Sequence, residues 1–127
     1  METTKRIAVY MDHFIANIIE YKDTAKEVKI IKSDFNHFEK EKILQKGESH
    51  LHHKEQNMQN EFYNKLRNEL LNYNEILLFG STTAKTELTN ILNDNNHFKD
   101  VKITIKNTDK LTKKKQIAFV NECFYID

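Results

Sequence analysis

Lys113, Lys114 and Lys115 form the strongest chemical signal in this 127-residue chain. They precede Ile117, Val120 and Phe124, whose spacing predicts one apolar face of a helix over residues 112–125. Three ammonium groups therefore stand at the amino end of a helix, where the macrodipole disfavours each cation by roughly 0.3 to 1 kcal/mol before screening. Helix stability alone would not select them, whereas an anionic partner would. Lys102, Lys106 and Lys110 on the preceding segment extend the set and predict one basic edge able to meet phosphates. The plainer explanation is compositional. Arginine occurs only at Arg6 and Arg67, so nearly all positive charge is lysine, and lysines on a solvated face need no partner. Scarce arginine also removes most bidentate phosphate recognition and leaves non-specific electrostatics.

The stretch "EILLFGSTTAKTEL" (75–88) poses a second question. Gly80 after an apolar run permits a sharp turn, and Ser81 or Thr82 can cap a following helix. The first-turn amides could accept an anion, with Lys85 one turn in. Neither G-x-x-x-x-G-K-[ST] nor G-x-G-x-x-G is present, so no nucleotide cofactor is expected. The turn is read as structural, with an incidental phosphate contact through Lys85.

Three further constellations have plainer explanations. In "HLHHK", His50, His52 and His53 have His-x-His spacing, but zinc needs three or four donors, so a solvated loop with at most an adventitious metal is expected. That loop, from Lys46 to Lys54, is a second candidate RNA contact through Lys46 and Lys54. Asp12 could supply one carboxylate for two-metal phosphodiester hydrolysis, yet "EILLF" ends at Phe79-Gly80 without the acid that chemistry wants there. The simpler role for Asp12 is a hairpin turn. Cys123, beside Phe119, Val120 and Phe124, is expected to be a buried thiol rather than a nucleophile.

These residues need elements to position them. "RIAVYM" (6–11), "FIANIIEY" (14–21) and "EVKIIKSDF" (27–35) read as an antiparallel meander. Met58, Phe62, Leu66, Leu70 and Tyr73 predict an amphipathic helix over 53–73. "EILLF" (75–79) predicts a strand buried on both faces. Residues 82–93 predict a second helix, and "VKITIK" (101–106) a strand with Val101, Ile103 and Ile105 inward. The order βββαβαβα gives an α/β fold with a five-stranded mixed sheet and helices on its faces, an order shared with the ribonuclease H-like architecture. The predicted core contains Val9, Ile18, Ile30, Phe62, Leu66, Leu77, Phe79, Leu88, Ile103, Ile117 and Val120. With 39% hydrophobic and 31% charged residues and no linker composition, residues 1–127 are expected to form a single domain. No apolar run reaches membrane-spanning length and "METTKRIAVY" lacks the core of a secretory signal, so a cytoplasmic location is expected.

The segment "EFYNKLRNELLNYNEILLFGSTTAKTELTNIL", followed by "VKITIKNTDKLTKKKQIAFVNECF", resembles the middle domain of eukaryotic and archaeal peptide-chain release factors and of Pelota. It looks closer still to stand-alone bacterial relatives of that domain. The resemblance rests on Phe62-Tyr63 in the long helix, on Gly80 with Lys85 to Leu88 after it, and on Leu111-Thr112 before the last helix. It implies a ribonuclease H-like fold working on the ribosome. It also removes an activity, because the Gly-Gly-Gln tip that promotes peptide release in those factors is replaced here by "EKILQKGESHLHHKEQ", with Gly47 followed by Glu48 and Ser49. The expected function is a non-catalytic, ribosome-associated or RNA-binding protein of the translational machinery. A metal-dependent nuclease using Asp12, or a small protein-interaction domain, are the alternatives.

Overall fold

The computed structural model describes residues 5–33 and 48–125, and of residues 48–56 the backbone alone. The run "EILLF" is apolar without alternation because both of its faces are covered. Its strand, β4 (Glu75–Gly80), buries Ile76, Leu77, Leu78 and Phe79 completely or nearly so. It lies inside a five-stranded sheet, between β1 (Arg6–Met11) and β5 (Lys102–Asn107), and is parallel to both. Two antiparallel strands, β2 (Ile15–Tyr21) and β3 (Ala25–Lys32), extend the other side, giving the order β3-β2-β1-β4-β5. Among the described residues the helices are α1 (Glu48–Leu70), α2 (Ala84–Asn93) and α3 (Lys113–Phe124), with a 3-10 turn at Asn96–Phe98. The order and the mixed sheet are those the sequence predicts.

Period-two alternation divides the side chains between two layers. On one face Ile7, Val9, Ile18, Ile76 and Leu78 meet Phe62, Leu66 and Leu70 of α1 and Leu88 and Leu92 of α2. On the other, Ala8, Ile19, Leu77 and Phe79 meet Val120 and Phe124 of α3. Aromatic rings reinforce this second layer. Phe119 stacks on Phe79 with centroids 4.9 Å apart, and Phe124 lies 5.4 Å from Tyr21.

Several expectations need correction. Ile30 is not core but 38% exposed. The β2–β3 register jumps from Ile18↔Lys29 to Ile19↔Glu27, which leaves Val28 as the extra residue of a bulge and puts Ile30 opposite Asn17 on the outermost strand. Ile105 is exposed as well, because β5 is the other edge strand, while Ile103 and Ile117 are only partly buried. Cys123 is exposed. The inward stripe of α3 runs Gln116, Val120, Phe124, and Cys123 falls at the margin of that stripe in the last turn of the helix. Helix α1 begins at Glu48 rather than at residue 53, so "HLHHK" and Lys54 lie on a helix and not in a loop. Lys46, and the side chains of His50, His52, His53 and Lys54, lie outside the described residues.

Candidate nucleic-acid interface

The amino end of α3 is built as the sequence predicts. Thr112 is extended (φ −68°, ψ 163°), its Oγ1 accepts the Lys115 N–H at 3.3 Å, and its carbonyl accepts the Gln116 N–H at 2.9 Å. Lys113, Lys114 and Lys115 are therefore the first three helical residues, and no acid shares that turn. Lys113 reaches Glu27 of β3 at 3.4 Å. Among the described residues no carboxylate comes within 4 Å of Lys106, Lys110, Lys114 or Lys115.

The six lysines do not form one edge. Helix α3 packs over β1, β2 and β3 and meets β4 through Phe119 on Phe79, and Lys113 points toward β3, whereas Lys102 and Lys106 belong to β5 at the opposite margin of the sheet. Lys102 also sits at the amino end of its strand, 4.0 Å from Glu75. Lys110, Lys113, Lys114 and Lys115 fall within one short segment that runs into the amino end of α3. Lys106 lies on the Cys123 side of α3. Partial burial pushes the Cys123 thiol up, Lys106 opposes this and Glu122 adds to it, so the cysteine is not an activated nucleophile.

Beside this group is a cleft of about 350 Å³ at the carboxyl ends of β1 and β4. Tyr10, Met11 and Asp12 form one side, Ser81 and Thr82 another, and Lys110 and Leu111 close it toward α3. Its walls are tied together. The Leu111 N–H donates to the Tyr10 hydroxyl at 2.8 Å. Gln116, only 4% exposed, donates from Nε2 to the Leu111 carbonyl at 3.0 Å and accepts from Asn17 Nδ2 at 2.8 Å. Sequence reasoning missed these wall residues, although a glutamine on the apolar stripe of α3 was a signal available to it. A larger cleft of about 640 Å³ opens at the other end of the sheet near Lys5, Arg6, Glu20 and Tyr73. Two of its charged groups are internally satisfied, Arg6 on Glu75 and Glu20 on the Tyr73 hydroxyl, which burial and Glu20 push up.

The turn "GSTT" is shaped by close backbone approach. Gly80 has φ 151°, and a Cβ there would collide with the Met11 carbonyl oxygen. Lys85 is not presented to solvent. It is 5% exposed, and its ammonium donates to the Thr82 carbonyl and, at 2.9 Å, to Asn107 Oδ1. It thereby ties the turn after β4 to the end of β5. Lys85→Met keeps the apolar stem but leaves Thr82 and Asn107 without their donor. A loss of about 1–3 kcal/mol in chemical denaturation is expected.

Asp12 takes the turn role. Its Oδ1 accepts the N–H groups of Phe14 at 2.7 Å and Ile15 at 2.9 Å, closing the β1–β2 hairpin. Next to it, His13 Nε2 lies 3.0 Å from Glu87 Oε2, and Tyr63 donates to Glu87 Oε1 at 2.8 Å. Thr83 adds a third bond at 3.1 Å, so hairpin, α1 and α2 meet at one carboxylate. Burial pushes Glu87 up, but hydrogen bonds from His13, Tyr63 and Thr83 and the His13 charge more than offset this and hold it below its ordinary 4.5. A depressed carboxylate stabilises the fold fully above its unfolded-state value, and that contribution disappears as pH falls through the depressed folded-state value. Acid unfolding should thus begin below about pH 4.5, and in Glu87→Gln this acid-dependent loss should shrink. Equilibrium unfolding at a series of pH values checks it.

Comparison with protein-family models finds none that matches, and no characterised protein matches by sequence. Solved structures do match. Pelota from Archaeoglobus fulgidus superimposes with a TM-score of 0.63 over 97% of this chain, at 8% identity. Pelota from Thermoplasma acidophilum gives a TM-score of 0.58 over 94%, at 16% identity. The chain spans 32% of each of those proteins. At such identities the likeness establishes a shared fold, in agreement with the resemblance drawn from the sequence. Among the described residues no helix is long and apolar enough to cross a membrane.

Proposed function

We propose that this chain is a non-catalytic RNA-binding protein of the translational machinery, holding structured RNA of the ribosome through the amino end of α3. The observation that carries this is the position of Lys113, Lys114 and Lys115 in the first helical turn above the Thr112 cap. There they oppose the dipole, and Lys114 and Lys115 have no described carboxylate within 4 Å to explain them. Lys110 lies within the same short segment. Lys102 and Lys106 on β5 supply a separate contact, and Lys46 and Lys54 a third. The fold shared with Pelota supports a place on the ribosome, and the hairpin role of Asp12 supports the absence of nuclease chemistry.

Fluorescence anisotropy with a labelled structured RNA, repeated across salt concentrations, tests the proposal. Three to four lysine–phosphate contacts should give a logarithmic salt slope of roughly 2 to 3.5. Binding that is absent at low salt, or insensitive to salt, contradicts it.

A further inference from the structure

The chain leaves β1 toward β2 and leaves β4 toward β5, in opposite directions across the sheet. Parallel strands that diverge in this way open a crevice at their carboxyl ends, the place where α/β sheets hold ligands. The 350 Å³ cleft lies there, and its size falls within the roughly 300–1,000 Å³ typical of small-ligand sites.

We propose that this cleft takes a single nucleoside monophosphate unit, presented as an unpaired nucleotide of the RNA, a proposal that rests on the RNA-binding reading above. Its lining has two halves. Ile15, 37% exposed, and Leu111 offer apolar surface to a base. Lys110 and the hydroxyl residues Ser81 and Thr82 offer a cation and hydrogen bonds to a phosphate. The one acid on the lining, Asp12, already shares its Oδ1 with two backbone amides. Behind the Thr82 wall stands the buried Lys85 ammonium, bonded only to neutral oxygens, and beyond Leu111 begins the lysine turn of α3. The surrounding charge therefore favours an anion. The Gln116 and Tyr10 hydrogen bonds hold the walls in place before any ligand arrives, which lowers the ordering cost of binding. A duplex is too wide for the space, whereas one unstacked nucleotide suits an apolar half joined to a cationic half.

Two hairpin RNAs that differ only by one bulged nucleotide test this by anisotropy at moderate salt. The wild type should bind the bulged hairpin roughly tenfold more tightly, the worth of one charge-assisted hydrogen bond. Ser81→Trp, which fills the cleft from an exposed position, should abolish most of that preference while binding to the paired hairpin persists. In parallel, adenosine and uridine 5′-monophosphate titrated into ¹⁵N-labelled protein should move the amide signals of Met11, Asp12, Ser81 and Leu111. Equal affinity of the wild type for both hairpins overturns the nucleotide pocket and leaves the lysine interface standing. Binding of neither hairpin, with monophosphates still shifting those amides, ends the RNA reading and assigns the cleft to a free nucleotide. No RNA binding and no shifts overturn both.

Discussion

Gly80→Ala should lose roughly 2–5 kcal/mol of folding stability. Two independent effects add. The backbone at Gly80 has φ 151°, a conformation that L side chains rarely adopt, and the new Cβ would run into the Met11 carbonyl oxygen. Neither strand can easily give way. Met11 is paired with Ala16 of β2, and Gly80 is in register with Asn107 while its carbonyl accepts the Thr108 N–H at 2.9 Å. Domains are typically stable by only about 5–15 kcal/mol, so a large share would go. Urea denaturation of wild type and variant measures this directly. A variant within about 1 kcal/mol of wild type would show that the turn can be rebuilt without glycine.

Reversing Lys113, Lys114 and Lys115 to glutamate should have opposite effects on stability and on RNA binding. Three acids in the first turn of α3 favour the helix dipole, by roughly 0.3 to 1 kcal/mol each. Against this stands the exposed Lys113–Glu27 pair at 3.4 Å, worth at most about 1 kcal/mol. Stability should stay level or rise. Affinity for structured RNA should fall roughly a hundredfold or more at low salt, and the salt slope should flatten by about one unit per lost contact. Unfolding curves and anisotropy titrations on the same preparation separate a lost interface from a damaged fold. Lower stability with unchanged binding would assign these lysines to the fold.

Much of the architecture was legible because its signals are local. "EILLF" declares burial on both faces by its lack of alternation, and the spacing Phe62, Leu66, Leu70 declares one helical face. What escaped depends on distant partners. Lys85 looks like a surface cation until Asn107, 22 residues on, takes its ammonium. The bulge at Val28 arises between paired strands and reverses the face of Ile30, which no single-strand pattern shows. The basic edge read from Lys102 to Lys115 is not continuous, because sequence proximity ignores where the amino end of α3 lands: Lys113 reaches Glu27 of β3, while Lys102 belongs to β5 and Lys106 lies on the Cys123 side of the helix. The cleft was invisible for the same reason: its walls come from four segments joined by bonds such as Tyr10 to Leu111, 101 residues apart.

The proposed contact between the amino end of α3 and RNA of the ribosome is read most directly by co-sedimentation with purified ribosomes. Wild-type protein should pellet with ribosomes at low salt and be released progressively as salt rises, whereas the Lys113→Glu, Lys114→Glu, Lys115→Glu variant should remain in the supernatant throughout. A wild type that never pellets, or a triple variant that pellets as fully as the wild type at both low and moderate salt, would contradict the account.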